Sequence, residues 1–228
     1  SLDGLHVVLD CANGAAAGVS PRVFRDAGAT VTVMGAEPDG LNINEGCGST
    51  HPEQLQEAVV RLGADLGIAH DGDADRTLAV DHTGRLIDGD RLLAILALGL
   101  HRRGQLRHNA VAVTVMSNLG LRRLLADTGI AVHDTKVGDR YVLETLHEHS
   151  LSLGGEQSGH IILADHQTTG DGILTGLHIA EEMVRTGRTL AELADQMTVY
   201  PQVLLNVPGV NLGGLETNQA VAAAVADA

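Results

Sequence analysis

The chain has 228 residues, 44% of them apolar and only 1% aromatic, so its core must be built from Leu, Val, Ile and Ala. Its 15 Lys and Arg against 29 Asp and Glu give a formal net charge of −14, which argues against nucleic-acid partners and anionic membrane surfaces, since both are held by cationic side chains. Two cysteines, Cys11 and Cys47, are too few for a disulfide framework, the longest apolar run (92–100) is too short to span a bilayer, and the start lacks a leader pattern; a cytoplasmic protein without membrane or nucleic-acid partners is the expectation.

Residues 4–10 (GLHVVLD) read as a buried strand, turned by Asn13-Gly14. Ser20-Pro21 has the form of an N-cap followed by Pro at the first helical position. That helix ends near Ala27-Gly28, and Thr30–Met34 is a second strand. Residues 37–52 (EPDGLNINEGCGSTHP) are rich in turn formers and predict an ordered surface excursion. An amphipathic helix over 54–62 and a strand over 64–70 follow, then the acidic loop DGDADR at 71–76. Asp88-Gly89-Asp90 opens an apolar helix. A strand at 111–115, a turn at 117–120, a helix at 122–127 stopped by Gly129 and an extended stretch at 131–133 come next. A helix over 141–149 and a strand over 150–154 lead into the Gly-rich loop GGEQSGH at 154–160, and Gly170-Asp171-Gly172 opens a last apolar helix.

This order repeats. Residues 26–29 align with 127–130, and Leu66 with Leu151, once the excursion at 37–52 is treated as an insertion in the first copy. The pattern predicts an α/β fold of two tandem units, each a mixed, largely parallel sheet with helices on its faces. Periodicity alone allows a cut between the units near Gly104. In both units a loop follows a strand's C-terminal end, where open α/β sheets bind ligands.

The first such loop places Asp71, Asp73 and Asp75 at alternate positions. Three carboxylates on one side repel unless a cation lies between them, and hard oxygen donors suit Mg²⁺. Arg76 adds a guanidinium suited to phosphate. An EF-hand would need Gly in place of Arg76 and Glu in place of His82. A haloacid-dehalogenase-like phosphatase, with Asp73 as nucleophile in a D-x-D-x-T pattern, and a solvated acidic turn both remain open. In the second loop Glu156 and Ser158 suit sugar hydroxyls, and His160 could hold phosphate or move a proton. Lys136 and Arg140, beside a helix N-terminus, make a plausible anion site.

The stretches 10–14 (DCANG), 38–52, 71–76, 115–121 (VMSNLGL), 135–142 (TKVGDRYV) and 154–160, in this order, resemble the α-D-phosphohexomutase superfamily. The Gln157 form of the sugar loop is similar to its glucosamine branch. The resemblance implies domains 2 and 3 of a four-domain enzyme that interconverts glucosamine 6-phosphate and glucosamine 1-phosphate. It implies a cut between the units near Asp88, giving 1–88, 89–199 and a tail, 200–228. It implies a phosphoserine, one Mg²⁺ and glucosamine 1,6-bisphosphate as intermediate or activator, with a product that feeds UDP-N-acetylglucosamine and peptidoglycan synthesis. Carried over, Asp71, Asp73 and Asp75 hold Mg²⁺ and Arg76 lies against phosphate. Glu156 and Ser158 bind sugar hydroxyls, Lys136 and Arg140 the substrate's phosphate, and His160 is the candidate acid/base. The superfamily's T-A-S-H-N type phosphoserine loop (domain 1) and its R-x-S-G-T-E type phosphate loop (domain 4) are not found among these residues. A central fragment, inactive alone and partnered by domains 1 and 4, is therefore expected. Residues 200–207 would be a strand of domain 4, and 219–228 would be loose or docked non-natively. A stand-alone sugar-phosphate binding module is the alternative from another class.

Overall fold

The computed structural model describes residues 1–203, 209, 212–214 and 217–226. Two sheets are present. The first has the order β2-β1-β3-β4-β5, from β1 (His6–Asp10), β2 (Thr30–Met34), β3 (Leu66–His70), β4 (Thr77–Asp81) and β5 (Leu86–Ile87). The second has the order β7-β6-β8-β9, from β6 (Ala110–Thr114), β7 (Ala131–Thr135), β8 (Leu153–Gly155) and β9 (Ile161–Leu163). In each, the first three strands run parallel and β3–β4, β4–β5 and β8–β9 are antiparallel. The expected mixed, largely parallel α/β architecture in two copies is thus observed.

The copies agree in detail. Gly67 lies opposite Val8 across β1–β3, and Gly154 lies opposite Ala112 across β6–β8. A Cβ on Gly67 would stand 2.6 Å from Val59 of α2 (Glu53–Leu62), and one on Gly154 would stand 3.0 Å from Val142 of α5 (Asp139–Glu148). Both sheets lack a side chain where a helix presses closest. On these faces α2 buries Leu55, Ala58 and Val59 against Val8, Ala69 and Val80, and α5 buries Val142 and Leu146 against Ala112 and Ile162.

The opposite faces share one core. It joins Val7, Leu9, Ile68 and Ala79 of the first sheet to Val111, Val113, Leu153 and Ile161 of the second. Between them lie α3 (Gly89–Arg102) and α6 (Gly172–Thr186): α3 reaches both β4 and β8, and α6 reaches β3, β4 and β9. Leu92 to Leu98 are all buried, as expected of a helix that is apolar on every side; each large aliphatic side chain contributes roughly 1.5–3 kcal/mol. Asp88 and Asp171 cap these helices by accepting from Arg91 N and Leu174 N. Glu182 of α6, 3% exposed, accepts from Arg102 of α3 and from Arg103, its C-cap. Arg85 joins Asp81 (2.9 Å) to Asp195, which follows α7 (Leu190–Ala194), at 2.6 Å. Both cysteines are buried and free, and among the described residues no helix is long and apolar enough to cross a membrane.

Four local expectations are corrected. Ser20 does not cap α1 (Ser20–Asp26): Val19 takes that position without a side-chain bond, and the Ser20 hydroxyl pairs with buried His70 Nε2 at 2.9 Å. The turn at 117–120 is an N-cap, Asn118, and α4 (Leu119–Asp127) begins at once. Ser150, at φ 52°, belongs to the turn before β8. Residues 200–203 form no strand, and 204–207 lie outside the described residues. The Ala-rich end is helical, as α8 (Gln219–Ala226).

Candidate functional site

The acidic loop leaves the end of β3 and is gripped from two directions. From the first unit, the loop after β1 packs on it: Ala15 N donates to Gly72 O (2.8 Å), and a Cβ on Gly14 would stand 2.1 Å from the same oxygen. Asp10, fully buried, holds that loop and the excursion together by accepting from Ala12 N (3.0 Å) and Gly48 N (2.7 Å). The next residue, Ser49, donates its N–H to His70 O at 2.8 Å. From the second unit, Gly172 N donates to Ala74 O (2.9 Å) and Thr77 N to Gly159 O (3.1 Å), and Arg76 and His160 form a β-bridge. At Gly172 a Cβ would meet Arg76 O at 2.3 Å. Glycine is needed there for close backbone approach, not for its φ.

Within this grip, Asp71, Asp73 and Asp75 each offer an oxygen, all within 4.8 Å of one another. Asp71 is 8% exposed. Burial pushes its carboxyl up to about 6; the Arg76 N–H it accepts opposes this, and the charges of Asp75 and Asp73 add to it. Asp75 Oδ1 is buried with no hydrogen-bond partner. An orphaned carboxylate oxygen beside a strained, mutually repelling set is what a divalent cation would satisfy, and the all-oxygen donor set fits Mg²⁺. The half-exposed Arg76 guanidinium stands 3.8 Å from Asp71 and 3.7 Å from Asp75, beyond hydrogen-bond reach of either.

The Gly-rich loop joins β8 to β9 beside these carboxylates. Glu156 is half-buried and accepts from Gly138 N at 2.9 Å. Gln157 donates to Asp88 Oδ2 at 3.3 Å and accepts from Gly89 N at 3.0 Å; Ser158 is exposed. His160 is 2% exposed with both ring nitrogens occupied. Gly170 N donates to Nε2 (3.3 Å), which places the proton on Nδ1, and Nδ1 donates to Asp75 Oδ2 at 3.1 Å. Both nitrogens of the ring expected to act as acid/base are thus engaged, one of them with Asp75. Lys136 is exposed, its ammonium 5.6 Å from the Tyr141 ring centre, and Arg140 pairs with Glu144 at 2.7 Å on its own helix. The loop between them meets Glu156 through the Gly138 N–H, and neither cation touches the acidic loop. Sequence reasoning missed Asp10, His70, Gly170 and Gly172 as parts of this site. For Asp10 the signal was a charged residue closing the apolar strand 4–10.

Family models for phosphoglucomutase/phosphomannomutase match twice, as alpha/beta/alpha domain II over residues 1–84 and as alpha/beta/alpha domain III over 88–200. The chain is 62% identical over 227 residues to a phosphoglucosamine mutase of Renibacterium salmoninarum, covering all of this chain and 50% of that protein. It is 61% identical over 224 residues to that of Leifsonia xyli, covering 98% and 49%. The chain thus spans about half the length of these curated relatives. Among solved structures, a phosphoglucomutase/phosphomannomutase family protein from Burkholderia thailandensis matches with a TM-score of 0.74 at 29% identity, over 88% of this chain and 43% of that one. The N-acetylphosphoglucosamine mutase of Aspergillus fumigatus, solved with GlcNAc-6P and magnesium, shares the fold with a TM-score of 0.71 at 20% identity, over 87% and 47%. With two consecutive domain models laid along a fold that repeats itself in the same way, the chain belongs to the phosphoglucomutase/phosphomannomutase family.

Proposed function

We propose that this chain supplies the cation loop and the sugar loop of a phosphoglucosamine mutase, interconverting glucosamine 6-phosphate and glucosamine 1-phosphate. The observation that carries the reading is the contact between the two loops: Asp75 of the acidic loop meets His160 of the Gly-rich loop. Relatives of that name at 61–62% identity support it. We place the unit boundary at Asp88, which caps α3, and the reaction in the cytoplasm, where its product would enter UDP-N-acetylglucosamine synthesis.

In this reading Asp71, Asp73 and Asp75 hold one Mg²⁺, which when bound neutralises charge on a transferring phosphoryl group. Arg76, whose guanidinium is not committed to a hydrogen bond with either neighbouring carboxylate, turns it to that group. Glu156 and Ser158 accept and donate to sugar hydroxyls. Lys136 and Arg140 meet the phosphate that does not react, Arg140 leaving Glu144 to do so. His160 keeps the Asp75 carboxylate fixed and its second oxygen turned inward. The phosphoryl donor is a phosphoserine outside these 228 residues. It passes its phosphoryl to the C1 hydroxyl of glucosamine 6-phosphate, giving the 1,6-bisphosphate, and the serine then takes the phosphoryl from C6, leaving glucosamine 1-phosphate. The chain alone binds but does not turn over.

The test is ³¹P NMR of the chain with glucosamine 6-phosphate, Mg²⁺ and a trace of the 1,6-bisphosphate. The expected result is line broadening of the sugar phosphate, lost in Glu156→Ala, with no new signal. A growing glucosamine 1-phosphate signal overturns the external donor. Release of inorganic phosphate that stops in Asp73→Asn overturns the mutase reading in favour of a phosphatase.

A further inference from the structure

The N-terminus of α4 holds more than its own helix. Asn118, 3% exposed, caps α4 by accepting from Gly120 N at 2.9 Å. The same side-chain oxygen accepts from Tyr200 N at 3.0 Å, and its amide nitrogen donates to Tyr200 O at 2.8 Å. One side chain thereby pairs both backbone groups of a residue 82 positions away, as an adjacent strand would. The neighbours of this pair are shaped to receive the same segment. A Cβ on Gly120 would stand 1.7 Å from Thr198 O. Gln202 donates to Met116 O at 3.0 Å, and Arg123 donates to the Tyr200 hydroxyl at 2.6 Å with its guanidinium 4.7 Å from the ring centre.

Asn118 is also tied inward. Its backbone N–H donates to Asp90 Oδ2 at 2.7 Å. Asp90 is fully buried in the first turn of α3. The two residues before it, Asp88 and Gly89, carry both bonds to Gln157 of the Gly-rich loop. Three consecutive residues thus hold the Gly-rich loop on one side and the Asn118 cap on the other.

We infer that Asn118 is a positioning residue, a latch that fixes the segment 198–202 in a set place relative to the Gly-rich loop through residues 88–90. The segment 198–202 is then referenced to the loop that, in the mutase reading, meets the sugar. The latch stands without the mutase reading; only its bearing on sugar binding rests on it.

The experiment is amide hydrogen exchange and ¹H–¹⁵N NMR on the 228-residue chain. Asn118→Ala is expected to speed exchange at Tyr200 N–H by at least about tenfold, a loss of about 1.4 kcal/mol of protection, and to move the Gln157 signals. Asn118→Asp keeps the acceptor and loses the donor, so its Tyr200 exchange falls between the two. Gly120→Ala keeps the Asn118 side chain and favours the helix, yet its methyl displaces Thr198, so it is expected to release Tyr200 as well. Tyr200 exchange within twofold of wild type in both Asn118→Ala and Gly120→Ala overturns the latch. A released Tyr200 with unmoved Gln157 signals overturns the coupling to the loop. Loss of glucosamine 6-phosphate binding with the latch intact counts against the mutase reading and leaves the latch standing.

Discussion

The two copies of the unit end their third strands in loops built on opposite plans. After β3, the acidic loop is fastened by backbone bonds from both units, and the charges of Asp71 and Asp75 are driven inward. After β8, the Gly-rich loop is also held by backbone bonds, at Gln157 and Gly159, but carries no carboxylate cluster, and Ser158 faces solvent. A loop that must keep repelling carboxylates together needs rigid surroundings, because only fixed geometry keeps them from splaying. A loop that meets a polar ligand can leave its donors in water until the ligand arrives.

The contrast can be broken most drastically by cutting the chain at Asp88. If the acidic loop depends on the second unit, residues 1–88 alone lose α3 and α6 from one face of the first sheet. No cooperative thermal transition is then expected by circular dichroism, and a sharp one would show that the first unit holds its own loop. In the intact chain, Asp75→Asn should weaken Mn²⁺ binding, measured by electron paramagnetic resonance, by about a hundredfold through loss of a charged donor. Asp71→Asn should weaken it too, while stabilising the cation-free fold. The Asp71 carboxyl is raised from 3.8 to about 6, so its contribution favours the fold below 3.8 and is lost as pH rises through 6. Against Asp71→Asn, the wild type should therefore be comparable near pH 4 and less stable near pH 7.5 by on the order of 2 kcal/mol. Equal stability differences at both pH values would remove burial strain from the argument. His160→Ala should cost about tenfold in Mn²⁺ affinity, the usual scale for a residue that orients a ligand. On the exposed side of the contrast, Ser158→Ala should change chemical-denaturation stability by less than about 0.5 kcal/mol.

Much of the fold was readable because strands and caps are local. Apolar runs marked the three parallel strands of each sheet but not the antiparallel β4, β5 and β9, and the Gly/Asp turns at Asp88 and Asp171 became side-chain caps. Reading failed where a partner is distant in sequence. Ser20-Pro21 had the signature of a helix start, yet the hydroxyl belongs to His70. Asn118 was read as a turn because caps and turns use the same residue types. The apolar stripes of α3 and α6 announced burial but not against which sheet, so the shared middle layer stayed hidden. At the site, the alternation of Asp71, Asp73 and Asp75 was visible, since three such side chains in a short loop have little room to diverge. The occupied state of the His160 ring was not, because Gly170 reaches it only through the fold.

Gly172 donates its N–H to Ala74 O and packs against Arg76 O where α6 begins, and that junction ties the two halves together. To part the two sheets far enough to admit a hexose phosphate, α6 would have to lift from β3 and β4, Glu182 would have to surrender two arginines while buried, and the carboxylate cluster would lose its walls. Traffic through the site therefore does not proceed by gaping between these two halves. They behave as a fixed anvil, and in the proposed reading a sugar phosphate is met at that surface, not between the halves.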